Sequence, residues 1–108
     1  MTARLVYVTV SDPGEAERIG RTIVEEKLAA CANILPGMRS IYRWQGEIEQ
    51  ANETVLLLKT EQYLSEEVIM RVMSLHSATT PCVLVLPVEA GNPDFLGWIE
   101  NEVRPQVG

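Results

Sequence analysis

The chain has one histidine, two cysteines and one phenylalanine among 108 residues. A single imidazole cannot form a two-histidine metal motif, and there is no Cys-x-x-Cys spacing to build a closed tetrahedral centre within one chain. Two thiols are too few for the disulfide framework of a small secreted scaffold. They read as reduced cysteines, and the expected location is cytoplasmic. Basic side chains are also scarce, 9 against 15 acidic ones, for a net charge of −6. Arg39 and Arg43 are the nearest approach to a basic patch, and Glu47 and Glu49 soon follow. A nucleic-acid partner is therefore not expected, because binding phosphates requires a cationic surface. No apolar run approaches the length of a membrane span, so a membrane partner is not expected either. The opening "MTARLVYVTV" has one arginine and a short β-branched run, with no small-residue cleavage site, and reads as a strand rather than an export signal. Gly-rich phosphate loops and nucleophile elbows are missing, so no enzymatic activity is expected.

What is present is periodic. Residues 4–10, "RLVYVTV", predict a strand. In "SDPGEAERIGRTIVEEKLAA" the apolar residues Ala16, Ile19, Ile23 and Leu28 recur at helical spacing. Ser11 or Asp12 supplies the cap, Pro13 the first helical position, and Glu15 and Glu17 the charge favoured at that end. "CANILPGMRSIYRW" is extended but interrupted at Pro36-Gly37, which predicts a bulge or bend. Gln45-Gly46 predicts a tight reversal into a partner strand ending in Val55–Thr60. "SEEVIMRVMSLH" predicts a second helix with Leu64, Val68, Val72 and Leu75 inward and His76 at its end. Met70 and Met73 on that helix are expected to pack in the core. "CVLVLPV" predicts a short buried strand, and "GNPDFLGWIENEV" a last helix capped by Asn92.

The order β-α-β-β-α-β-α is the split βαβ pattern of a ferredoxin-like α+β sandwich with an extra C-terminal helix, one domain over residues 1–108. Its hairpin is too long for its globule. The fourteen residues from Cys31 to Trp44 span about 45 Å when extended, whereas a domain of this size is about 34 Å across. The hairpin must bend or project, and a projecting hairpin with Ile41, Tyr42 and Trp44 invites oligomerisation.

In "SLHSATTPCVLVLPV" His76 and Cys82 are six positions apart, both soft ligands for copper or zinc. His76 at a helix end reads first as a capping or hydrogen-bonding group and second as a metal ligand. Cys82 and Cys31 read as small buried hydrophobes before they read as ligands. Trp44 and Trp98 read as packing anchors at a subunit boundary. Lys59 follows a run of leucines and needs a partner, water or a bound anion.

The segments "EEKLAACANILP", "SIYRWQGEIE", "LLLKT", the single His76 and "LPVEAGNPDFLGWI" together resemble the CutA family, the divalent-cation tolerance proteins. The resemblance implies a ferredoxin-like protomer in a homotrimer with interlocking hairpins. It also implies a response to metal ions, an association with copper or other divalent cations, and no obligatory cofactor. Carried over residue by residue, Cys31, Tyr42, Trp44, Lys59, His76 and Trp98 match the family pattern. This chain departs from it after His76, where Ser77, Ala78 and Thr79 replace Pro-Tyr-Glu and Cys82 replaces a glutamate. On a threefold axis one His or Cys per chain becomes three, so His76, Cys31 and Cys82 are the candidate metal ligands. Tyr42, Trp44, Lys59 and Trp98 are the candidate ligand or subunit-interface residues. The rival expectations are a regulatory trimer holding a small molecule between subunits, and a structural trimer presenting a surface to a partner protein.

Overall fold

The computed structural model describes residues 2–107. The elements are β1 (Ala3–Val10), α1 (Pro13–Glu25), β2 (Cys31–Trp44), β3 (Glu47–Glu61), α2 (Ser65–Leu75), β4 (Val83–Pro87) and α3 (Pro93–Glu102), with a 3-10 turn at Gln62–Leu64 before α2. They build an α+β fold on one four-stranded sheet of order β2-β3-β1-β4, antiparallel throughout.

Local chemistry sets the helix starts. Asp12 is the α1 cap, its side chain accepting from Glu15 N, with Pro13 in the first turn. Asn92 caps α3 in the same way through Asp94 N. Alternation sets the faces of the sheet. Val6, Val8 and Val10 of β1 and Leu56 and Leu58 of β3 point to the helices and form the core with Ala16, Ile19, Ile23, Val68 and Val72. Helix α1 comes close enough to the sheet that a Cβ on Gly20 would lie 3.0 Å from Ala32 Cβ.

The other sheet face is covered only in part. Phe95 of α3 lies against Lys59, and Ile99 of the same helix is buried. Past that helix, Leu84 and Leu86 of β4 remain 57% and 45% exposed. The strand expected to be buried is thus an edge strand with one apolar side in solvent.

The hairpin bends where Pro36-Gly37 foretold, through a register shift between Leu35 and Met38. It reverses at Gln45-Gly46, where both residues have positive φ, as a two-residue turn requires. The body extends 46 × 26 × 23 Å, and Ile41, Trp44 and Ile48 on the hairpin are exposed.

The core reading of two residues is corrected. Met70 and Met73 are 72% and 52% exposed. They share a helix with Val68 and Val72, but the apolar stripe of α2 is narrow and leaves them outside it. Cys31 and Cys82 are half-buried free thiols rather than fully enclosed ones.

Candidate functional site

The candidate residues separate into two groups. On the partly covered face, Cys31 at the start of β2 is the cross-strand partner of Lys59, and Lys59 Nζ is 3.9 Å from Cys31 Sγ. The same ammonium lies 5.3 Å from the centre of the Phe95 ring, and Phe95 packs against Trp98 with ring centres 5.4 Å apart. Lysine here finds a π face and a sulfur. Phe95 is the member of this group that the sequence did not single out.

The second group surrounds a cleft of about 700 Å³ between the bent hairpin, β1 and the segment after α2. Tyr42, Trp44, His76 and Cys82 all line it, with Tyr7, Met38, Arg39 and Glu53. The bulge at Leu35–Met38 makes the hairpin curl over the face that Tyr7 and Thr9 present. Tyr7 donates its hydroxyl to Met38 Sδ at 3.5 Å, joining the two walls.

His76 is fixed at the inner end of this cleft. Its Nε2 is 2.7 Å from the Thr9 carbonyl oxygen. Because a carbonyl only accepts, Nε2 carries the proton. The other nitrogen, Nδ1, accepts from Ala78 N at 3.0 Å. Both ring nitrogens are therefore engaged within the chain, and the imidazole joins β1 to the segment leaving α2.

Beside it lies a carboxylate that the sequence presented only as a first-turn charge. Glu15 is 3% exposed. It accepts from Ser77 N at 2.9 Å, Ser77 Oγ at 3.0 Å and Ser11 Oγ at 2.9 Å, and its Oε2 is 3.7 Å from His76 Nδ1. Burial pushes the Glu15 carboxyl up, but hydrogen bonds from the Ser77 amide, the Ser77 hydroxyl and the Ser11 hydroxyl hold the group below its ordinary value. A proline at position 77 would have no N–H to give, so this arrangement belongs to the departure from the family pattern seen in the sequence. The sequence signal was that departure; its partner Glu15, 62 positions away, carried none.

Among the described residues, no group of three or more His, Cys, Asp or Glu side chains is placed to hold a metal ion. The two thiols fall in different groups, one beside Lys59 and one in the cleft.

Residues 4–102 match the family described as CutA1 divalent ion tolerance protein. The chain belongs to this family. A divalent-cation tolerance protein CutA from Archaeoglobus fulgidus is 43% identical over 99 residues, covering 92% of this chain and 96% of that one. A solved structure from Archaeoglobus fulgidus, described as a periplasmic divalent cation tolerance protein CutA, superposes with a TM-score of 0.91 at 41% identity, over 94% of this chain and 99% of the other. A Thermus thermophilus protein of the same description is 43% identical over 97 residues, 90% of this chain and 94% of its own. The crystal structure of CutA1 from Oryza sativa superposes with a TM-score of 0.94 at 36% identity, covering 98% of this chain and 97% of that one. The CutA family is described by ion tolerance and not by a reaction.

Proposed function

We propose that this CutA-family chain works as a homotrimer of ferredoxin-like protomers in the response to divalent metal ions, without enzymatic activity and without an obligatory cofactor. The observation that carries the reading is the uncovered apolar surface. Leu84 and Leu86 on the open sheet face and Ile41, Trp44 and Ile48 on the hairpin lie outside any core of the single chain. Such an area is costly in water, at about 25 cal/mol per Å², and a closed ring of copies covers it. The sheet order β2-β3-β1-β4, with α1 and α2 packed on one face, supports the ferredoxin-like description.

Metal association in this reading is weak and rests on sulfur contributed by several copies. One half-buried thiol per chain, Cys31 or Cys82, becomes three around a threefold axis, enough for copper or another divalent cation with an outside ligand. His76 joins such a set through Nδ1 only by giving up the Ala78 amide, with Nε2–H still held by the Thr9 carbonyl. Titration of the wild type and of Cys31→Ser and Cys82→Ser with Cu(II) tests the assignment. Heat lost in one variant identifies the ligand, and identical isotherms in all three remove the thiols.

A second reading is favoured by the cleft. Its volume of about 700 Å³ is in the range of small-molecule sites, about 300–1,000 Å³. Tyr42 and Trp44 offer aromatic walls, and Arg39 and Glu53 one charge of each sign. In the regulatory-trimer reading the small molecule sits between subunits, and this cleft supplies the part of its site that one chain contributes. A thermal-shift screen against metabolites tests it, with stabilisation abolished in Trp44→Ala as the supporting result. We place the protein in the cytoplasm on its free thiols, and cell fractionation tests this against a periplasmic location like that described for the Archaeoglobus relative.

A further inference from the structure

Helix α2 turns two thioethers toward solvent. Met70 and Met73 are exposed, while Val68 and Val72 of the same helix are fully buried. The two methionines stand at i and i+3, where the Cβ atoms of a helix are about 5–6 Å apart. Their unbranched side chains are flexible enough to bring both sulfurs onto one ion. The surroundings favour a cation. Glu66 is exposed one turn before Met70, and Met73 lies in the last turn, at the negative end of the helix dipole. The neighbouring positive charge, Arg71, is already held. Its Nε and Nη2 donate to the Glu26 carboxylate at 2.9 and 2.8 Å, and its Nη1 donates to Ser74 Oγ at 3.3 Å.

We propose that Met70 and Met73 form a thioether site for a soft monovalent cation, Cu(I) or Ag(I), on the outer face of α2. Thioether sulfur is a soft, polarisable donor that suits Cu(I), whereas Mg(II) and Ca(II) take oxygen ligands. Cu(I) accepts low coordination numbers, so the two sulfurs with a solvent ligand are a sufficient set. No histidine or cysteine is required. The inference therefore stands apart from the thiol assignment above, and it reaches a monovalent ion that a response to divalent ions does not include. Two flexible side chains must be ordered when the ion binds, which keeps the site weak and reversible. Helix α2 packs on the core face of the sheet, away from Leu84 and Leu86. The pair thus stays open in an assembly that covers those leucines.

The test is a titration of the full chain followed by NMR of isotope-labelled methionine methyl groups, with Cys31→Ser and Cys82→Ser combined so that no thiol competes. Ag(I) is the probe, a redox-stable stand-in for Cu(I), and Mg(II) is the hard control. Met38, whose sulfur accepts from the Tyr7 hydroxyl, is the internal reference. The Met70 and Met73 signals are expected to shift together and saturate at one Ag(I) per chain, with Met38 unmoved and Mg(II) without effect. Met73→Leu, a volume-conserving change at an exposed position, should weaken the binding read at Met70 by about tenfold or more. Unmoved Met70 and Met73 signals overturn the site. So does an equal shift at Met38, a Met70 shift that Met73→Leu leaves unchanged, or the same shifts with Mg(II). If the serine variant does not fold, the wild type decides by the same signals once its thiols are saturated.

Discussion

His76 and Thr9 stand 67 positions apart in the chain, and the imidazole Nε2 of one is 2.7 Å from the carbonyl oxygen of the other. With Nδ1 taken by the Ala78 amide, the ring is a strut between β1 and the end of α2. Replacing it with alanine leaves a carbonyl and an amide without partners in a site where the ring is only 4% exposed. His76→Ala is expected to lower unfolding stability by about 2–4 kcal/mol in urea melts. Its Cu(II) and Zn(II) isotherms should match those of the wild type. Loss of a binding step in the variant would make the histidine a ligand after all.

Glu15 gives a pH signature. Its carboxyl titrates below its ordinary value in the folded chain, so the unfolded chain takes up the proton first as pH falls. The resulting stability is fully present above the unfolded value and disappears as pH drops through the folded one. Wild-type stability should fall between about pH 5 and pH 3 more steeply than that of Glu15→Gln. Parallel curves would mean that Glu15 contributes nothing through its charge.

Gly20 lies where α1 meets the sheet. A Cβ there would sit 3.0 Å from Ala32 Cβ and 3.1 Å from Leu56 Cδ1. Alanine in a helix interior gains about 1 kcal/mol over glycine, and that gain is spent on the close contact. The larger Gly20→Val cannot be accommodated without moving the helix, and is expected to cost about 3 kcal/mol or more by chemical denaturation. A Val variant as stable as the wild type would show that α1 moves freely on the sheet.

Much of this architecture could be read from local signals. Asp12 and Pro13 set the start of α1, and Gln45-Gly46 set the hairpin turn, because each acts within a few residues. The Pro36-Gly37 interruption gave the bend for the same reason. The site was less legible. The bonds from Ser77 to Glu15 join distant positions, and nothing near either residue announces the other. The β4 reading erred in an informative direction. A continuous apolar run promised cover on both faces, and the single chain covers only one, with Val83 and Val85 packed against the core while Leu84 and Leu86 look outward.

That asymmetry yields a separable prediction. Leu84 is 57% exposed in the single chain, so a charge there costs the protomer little. Leu84→Lys should retain the wild-type circular dichroism spectrum while losing the assembled species. A variant that stays assembled would place the interface elsewhere.

The most direct measurement for the central claim is sedimentation equilibrium of the wild-type chain at micromolar concentration. The account expects a single species of three times the chain mass, with the apolar hairpin and the outer leucines of β4 enclosed between copies. A compact, soluble species of one chain mass across that range would contradict it.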